Sequence, residues 1–439
     1  MIDIKFIREN ADLVRKACID KNRAEVDIGR LLELDAERRR LIAATEAKRA
    51  EQNAAGERIA AERNPEAKRA AIESMQSLKA GLKADEEGMA AVAAEFSAIL
   101  DRVPNVPFAD VPVGRDESEN VVVREVGERP KFGFPPKDHM ELGLDLGLID
   151  ADRAAEVTGS RFTYLKGDLV LLQNALAQFA IGILTSRERL ASVIAGAGLA
   201  VSDRPFVPVV PPLMIRPETF ARMARLEPRE ERYHIPSDDL YLIGSAEHTL
   251  GPIHMDEILK EGEMPRRYFA LTAAFRREAG SYGKDVRGII RQHQFDKMEM
   301  ESFSLPESSR SEQDLFVAIQ EHILQSLGIP YRVVSICTGD MGAPDARQID
   351  MECWMPGQDA YRETHTSDLM TDYQSRRLNT RVRRHGGEIE FAHMNDATVM
   401  AMGRLLVAIM ENGQQADGTI AVPEALRPYM GGQSLIGRE

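Results

Sequence analysis

Two long stretches open the chain with a helical pattern. Residues 29–63 are rich in Ala, Glu, Arg and Leu, all strong helix formers, and Asn64-Pro65 then breaks the run before a second stretch over 66–100. In that second stretch Met75, Leu82, Met89 and Phe96 recur every seventh position. Leu78, Val92 and Ile99 follow three residues behind them, with Asp85 as the one polar interruption. Two apolar rows per heptad are what an antiparallel coiled-coil hairpin requires. The first helix fits at Leu34 and Leu41, but Lys48 and Gln52 fall where apolar residues are wanted. The pattern predicts an exposed helical arm over about residues 28–100. At 1.5 Å rise per residue it would project about 50 Å.

A proline-rich segment from Val103 to Pro112 follows, and beyond it the pattern changes. The boundaries expected are an arm at 1–102, a linker at 103–120 and a second domain at 121–439. In the second domain a helix is predicted over 171–199. Strand-like runs follow at 206–210, 241–243, 268–275, 295–303, 331–336 and 348–354, with one further helix at 312–327. Mostly hairpin-length connections make this an α+β domain, an antiparallel β-sheet flanked by helices, rather than a βαβ repeat.

Composition changes this picture little. The chain has 439 residues, more than one core usually serves, which agrees with two domains. A formal net charge of −14 argues against a general nucleic-acid binder. The arm departs from that balance: residues 36–69 carry nine basic side chains against six acidic ones. That excess, with Arg38, Arg39 and Arg40 in a row, reads either as a solvated helix face or as a phosphate-contacting surface. Cys18, Cys337 and Cys353 are odd in number and scattered, which predicts reduced thiols in a cytoplasmic protein. Residues 1–8 lack an apolar signal core and no run approaches a membrane span of about 18 apolar residues, so no membrane partner is expected.

The chemistry concentrates at residues 271–303. Two strands bracket a loop over 279–293 that holds Gly280, Gly283 and Gly288 with Lys284, Arg287 and Arg291. A long cationic loop with glycines suits a polyphosphate. With a side-chain period of two, Arg276 and Glu278 are expected on one face of the incoming strand, and Phe295 and Glu299 on one face of the outgoing one. A guanidinium fork, a carboxylate and a ring would then meet in one pocket. The competing reading is a hairpin whose charges pair across the strands, but a plain hairpin needs no loop of this length. No P-loop or dinucleotide fingerprint occurs, so a nucleotide would lie on a sheet. His248, His254, His293, His365, His393 and Cys353 form no short-spaced ligand pair, and no zinc is expected. Trp354 sits in a strand-like run and is read as core.

The run Phe275-Arg-Arg-Glu-Ala-Gly-Ser-Tyr-Gly-Lys-Asp-Val-Arg-Gly-Ile-Ile-Arg-Gln-His-Gln-Phe-Asp-Lys-Met-Glu299 resembles motif 2 of the seryl-tRNA synthetases, class II enzymes. The resemblance extends over the whole chain. It takes in the arm, Val111-Pro-Val-Gly-Arg, Gly159-Ser-Arg-Phe, Cys337-Thr-Gly-Asp-Met-Gly, Gly403-Arg404 to Glu411-Asn412, and Val422-Pro-Glu-Ala-Leu-Arg-Pro-Tyr-Met-Gly-Gly. It implies a class II catalytic domain that activates L-serine with ATP and Mg²⁺ and loads tRNA(Ser), and tRNA(Sec) as well, gripped by the arm. Arg276 would hold the α-phosphate, with Arg277 among the ATP contacts. Glu278 would bind the adenine amine, Phe295 would stack on the adenine and Arg291 would reach the γ-phosphate. Arg404, from motif 3, would take the other side of the triphosphate. Glu363 and Thr366 would hold Mg²⁺, so that Arg276, Glu363 and Arg404 carry the catalysis. Ser245, Ala246, Glu247, Arg276, Glu299, Asn395 and Thr398 would surround serine, Glu247 and Glu299 holding its ammonium and hydroxyl. Phe206-Val207-Pro208 resembles motif 1, which implies a homodimer.

Departures from the family pattern cluster near the amino acid. The usual Thr-Ala-Glu reads Ser245-Ala246-Glu247, and the usual Ile-Ser-Ser-Cys-Ser-Asn reads Thr364-His-Thr-Ser-Asp-Leu369. The usual Asn-Gly-Ser-Gly reads Asn395-Asp-Ala-Thr398, with one extra residue before Gly403-Arg404. Counting back from Arg404 puts Thr398 in the place of the substrate-contacting serine, and counting forward from Asn395 puts Ala397 there. Thr398 is favoured because it keeps a hydroxyl. Sites that bind a substrate hydroxyl can reject the deoxy analogue by about 10⁴–10⁵, so these positions bear on the choice of amino acid. Two alternatives remain: a paralogue for another small amino acid, perhaps loading a carrier protein, and a non-catalytic tRNA-binding protein. The arm speaks against the first, and intact Arg276, Glu278, Arg291, Glu363 and Arg404 speak against the second.

Overall fold

The computed structural model describes residues 1–279 and 288–437, which fall into two compact units, Met1–Val106 and Pro107–Glu439. In the first unit two long helices, α1 (Ile28–Ala61) and α2 (Pro65–Leu100), form the hairpin. Asp27 caps α1 by accepting from the Arg30 amide. Asn64 caps α2 by accepting from the Glu66 and Ala67 amides, and Pro65 takes the first helical position, where no N–H is needed. The two charged intruders in the seam answer each other. Lys48 Nζ lies 2.6 Å from Asp85 Oδ2, and next to it Arg49 pairs with Glu86 at 2.7 Å. Burial concentrates at the base of the arm, at Leu31, Leu34, Leu41 and Thr45 of α1 and at Phe96 and Leu100 of α2. Within the arginine run, Arg38 lies over the Phe96 ring at 4.7 Å and Arg39 Nε donates to buried Asp35 at 3.1 Å. Arg40 keeps 70% of its side-chain surface exposed.

The second unit is built on an eight-stranded sheet. Its strands are β1 (Val121–Val126), β2 (Val207–Pro208), β3 (Arg266–Phe275), β4 (Gln294–Ser304), β5 (Tyr331–Ser335), β6 (Arg347–Met355), β7 (Ala360–Thr371) and β8 (His393–Ala401). Their spatial order is β1-β5-β6-β7-β8-β4-β3-β2, antiparallel throughout except that β2 runs parallel to β3. The expected α+β architecture is thus present. Three strands had no counterpart in the sequence pattern: the edge strand β1 and the inner pair β7 and β8. In β7 the run Arg362-Glu-Thr-His-Thr-Ser-Asp368 is polar at nearly every position. A strand whose outer face lines a site loses the alternation that betrays half-buried strands.

Helices α3 (Asp168–Leu184), α4 (Ser309–Leu327) and α5 (Met402–Gly413) join one hydrophobic core with the sheet, around Met298, Met300, Phe316, Ile319, Met351, Val399 and Leu405. The single helix expected over 171–199 is two, α3 and Arg187–Gly196, bent by 82°. Ser186 causes the break, because its hydroxyl accepts from the Arg189 amide and caps a new helix. Among the described residues no single helix is long and apolar enough to cross a membrane. Because the core takes one face of β4, the alternate residues Phe295, Lys297 and Glu299 line a cleft instead.

Candidate active site

The cleft has a volume of about 350 Å³. Two irregularities decide what lines it. The β6–β7 register skips Thr364, so Glu363 and Thr366 both face the cleft despite their odd spacing. The β4–β8 register skips Val399, so Thr398 and Ala401 both do as well. Bulges of this kind re-aim side chains beside sites.

The outer end is cationic. Strand β3 stops at Phe275, so Arg276 and Glu278 are not placed by strand alternation as expected; both line the cleft through an irregular turn in which Glu278 is left-handed at φ 52°. Arg276 Nε donates to the Gly244 carbonyl at 3.0 Å, and its guanidinium lies 5.4 Å from the Phe295 ring centre. Arg291 pairs with Glu278 Oε2 at 2.7 Å. Arg404, in the first turn of α5, pairs with Glu363 Oε1 at 3.0 Å and donates to its carbonyl at 2.9 Å. Partial desolvation by the cleft opposes ionisation of half-exposed Glu363, but Arg404, Lys297 and Arg276 outweigh it and hold the carboxyl below its usual range. Gly280, Gly283, Lys284 and Arg287 lie outside the described residues. Where the loop returns, Gly288 has φ 99° and a Cβ there would fall 2.1 Å from His139 Nε2. His139 is itself held by Glu411 Oε1 at 2.9 Å and accepts from the Ile289 amide at 3.4 Å, so the loop's exit is anchored to α5.

The inner end is a buried polar cluster. Glu299, 2% exposed, accepts from Ser245 Oγ and from Thr398 Oγ1, each at 3.1 Å, and forms an ion pair with Lys297. Lys297 Nζ also donates to Ser245 Oγ at 3.2 Å. Burial pushes the Glu299 carboxyl up and Lys297 pulls it back. Burial works the same way on Glu247, yet its carboxyl lies well below the usual range. Burial also drives His248 down to about 3 and leaves it neutral, so the cations keeping Glu247 ionised are Lys297 and Arg225.

A cationic cradle leading to buried acceptors on an antiparallel sheet is joined by two matches along the chain. Residues 1–107 match the seryl-tRNA synthetase N-terminal domain, and residues 231–413 match the tRNA synthetase class II core domain (G, H, P, S and T). The chain is 41% identical over 437 residues to the serine--tRNA ligase of Rubrobacter xylanophilus, covering 100% of this chain and 99% of the relative. The chain belongs to the seryl-tRNA synthetase family. The Geobacter sulfurreducens serine--tRNA ligase is 39% identical with both chains covered completely. Among solved structures, the seryl-tRNA synthetase from Pyrococcus horikoshii complexed with ATP superposes with a TM-score of 0.90 at 35% identity over 100% of both chains. The cytoplasmic serine-tRNA ligase from Naegleria fowleri in complex with AMP gives 0.85 at 30% identity, over 100% of this chain and 99% of that one. The protein is therefore an aminoacyl-tRNA ligase of class II.

Of the residues expected in this synthetase's site, four do not line the cleft. Ser245 is fully buried and meets the site only through its hydrogen bonds with Glu299 and Lys297. Ala246 packs in an apolar cluster with Leu250 and Ala270. Arg277 is exposed, its amide bonded to the Glu231 carbonyl and its guanidinium 5.9 Å from the Tyr233 ring. Asn395 turns to the opposite face of β8 and donates to the Ser309 carbonyl at 2.7 Å. The reason is strand parity: Asp396 and Thr398 line the cleft, while Asn395 and Ala397 alternate away from it and Ala397 joins the core. Four charged lining residues were not anticipated. Lys297 was legible, because it sits between Phe295 and Glu299 at a period of two. Asp368 and Asp396 fall in the two segments whose departures from the family pattern pointed to the amino acid, although neither residue was singled out there. Arg225 was not legible at all, since it comes from a distant segment.

Proposed function

We propose that this synthetase activates L-serine with ATP and transfers it to tRNA(Ser), with tRNA(Sec) as a second acceptor. The observation that carries this is Glu299, a buried acceptor flanked by Ser245, Thr398 and Lys297 at the closed end of a cleft whose open end is lined by Arg276, Arg291 and Arg404. Glu299 takes the serine hydroxyl and Glu247 its ammonium. Arg276 holds the α-phosphate, Arg291 and Arg404 the outer phosphates, Glu278 the adenine amine and Phe295 its face, a stack typically worth about 1–3 kcal/mol. A serine carboxylate oxygen attacks the α-phosphorus in line. The bond to the bridging oxygen of the β-phosphate breaks and pyrophosphate leaves. A terminal hydroxyl of the tRNA then attacks the seryl carbonyl and releases AMP. Neither step needs a covalent protein nucleophile, because positioning and charge neutralisation lower both barriers.

Mg²⁺ fits this cleft. It takes one or two protein oxygens together with phosphate and water, and Glu363 offers a half-exposed carboxylate with Thr366 beside it on the same lining. When bound it supplies charge neutralisation on the phosphates. The arm, within residues 1–102, grips the tRNA by shape, joined through a linker at 103–120 to a catalytic domain at 121–439. A homodimer is supported by the edge segment at β2, where Val207 is exposed and Val210 is 96% exposed. Three buried free cysteines suit a reducing cytoplasm.

ATP–pyrophosphate exchange tests the amino acid. Serine should drive exchange faster than threonine, alanine, glycine or cysteine. A win by another amino acid of about tenfold or more would displace serine.

A further inference from the structure

Behind Glu299 the cleft ends on a guanidinium enclosed by carboxylates. One Arg225 nitrogen lies 3.2 Å from Asp396 Oδ2, 3.5 Å from Asp368 Oδ2 and 3.9 Å from Asp345 Oδ1. The four side chains are 18%, 7%, 10% and 2% exposed, in the order Arg225, Asp396, Asp368, Asp345. Arg225, Asp368 and Asp396 line the same cleft as Glu247 and Glu299. The lining of the inner end therefore holds four carboxylates, Glu247, Glu299, Asp368 and Asp396, with buried Asp345 and Glu301 close by, against Lys297 and Arg225 as the cations of that lining. Buried carboxylates in that excess attract a cation, and one is built in. Of the lining carboxylates, Asp368 Oδ1 and Glu247 Oε2 stay buried without a hydrogen-bond partner, as do both oxygens of neighbouring Glu301. Glu247 is spoken for by the substrate's α-ammonium. Asp368 Oδ1 has no such claimant, so this floor would suit a second ammonium on a substrate side chain.

We propose that Arg225 determines the amino-acid specificity of this synthetase, occupying as a tethered cation the acidic floor that would otherwise accept a cationic side chain. This rests on the assignment of the inner end of the cleft to the amino acid. The competitor it excludes is a small diamino acid. L-2,3-Diaminopropionate has the size of serine and carries an ammonium where serine has a hydroxyl. Glu299 would accept from either group, so Glu299 alone does not tell them apart. A guanidinium cannot lose its charge near neutral pH and has five fixed donors, which makes it a permanent occupant that repels a second cation while leaving a neutral hydroxyl unaffected. Asp368 and Asp396 act through Arg225, holding it at the floor.

The test compares serine with L-2,3-diaminopropionate in ATP–pyrophosphate exchange, using the full-length protein and Arg225→Met. The wild type should prefer serine. In R225M the ratio of kcat/KM for serine over diaminopropionate should fall by about a hundredfold, with exchange on diaminopropionate rising in absolute terms. Arg225→Lys, which keeps a cation, should hold the ratio within about threefold of the wild type. Methionine leaves the aspartates without a donor and could cost the fold. Arg225→Gln keeps an N–H for them and removes only the charge, and it should move the ratio the same way. An R225M or R225Q enzyme that still activates serine with an unmoved ratio overturns the proposal, as does a wild type that takes diaminopropionate as readily as serine. A wild type that exchanges with neither amino acid would instead overturn the assignment of the cleft itself.

Discussion

Lys297→Met removes the cation that holds Glu299 ionised, and the structure sets the size of the effect. Glu299 is buried and Lys297 largely so, at 3% and 14% exposed, and they form an ion pair. Breaking a buried pair from one side typically costs about 3–5 kcal/mol. Glu299 can escape part of that by taking up a proton. From an ordinary carboxyl value of 4.5, protonation at pH 7 costs about 3 kcal/mol, which caps the loss of stability near that figure. The proton also replaces a charged acceptor for the serine hydroxyl with a weaker neutral one, so kcat/KM for exchange at pH 7 should fall by about a hundredfold. Burial already pushes the Glu299 carboxyl up, and without Lys297 it moves further up. The ionised form then needs a higher pH, so the acidic limb of the rate profile should shift towards alkali and activity should partly return as pH rises. Serine-dependent exchange measured across pH for both proteins, with melting curves alongside, reads this directly. A variant whose pH profile superimposes on the wild type would refute the assignment of Glu299 as the ionised acceptor.

Two further outcomes are expected. Deletion of residues 29–100 should leave ATP–pyrophosphate exchange largely intact while abolishing charging of tRNA, and equal charging without the arm would end its proposed role. The third concerns acid stability. His248, 3% exposed, is held neutral with its ring pushed down to about 3, whereas an unfolded histidine titrates near 6.5. Between those values the unfolded chain binds the extra proton, so stability is retained above pH 6.5 and lost as pH falls below it. At pH 5 that amounts to about 2 kcal/mol. Urea unfolding at pH 7.5 and pH 5 should show a smaller acid penalty for His248→Gln than for the wild type, and identical penalties would contradict it.

Much of this was legible in the residues because it is local. Heptad spacing over 66–100, the Asn64-Pro65 break and the turn of chain direction there announce a helical hairpin without any knowledge of the rest. Arg276, Arg291, Phe295 and Glu299 were legible for a similar reason, since they lie within one hairpin whose two strands pair directly. A period of two then also implicates Lys297, a residue the pattern offered and motif matching passed over. Strands β7 and β8 hid because their polar residues serve the cleft and erase the alternation on which strand recognition depends.

What the sequence determined by itself, then, is the hairpin arm, the α+β class and the set of residue types at the outer end of the cleft, because short-range periodicity and adjacent strands specify them. Tertiary structure alone decided how the polar intruders resolve: Lys48 meets Asp85 across the hairpin, and Arg225 gathers Asp345, Asp368 and Asp396. It also decided that Thr398 and not Ala397 faces the cleft, and that Asn395 does not. A strand's parity shifts with a single skipped residue, at Thr364 and at Val399, and no count along the chain reveals where the skip falls. A buried charge finds its partner through the packing of distant segments, and that pairing exists only once they are packed.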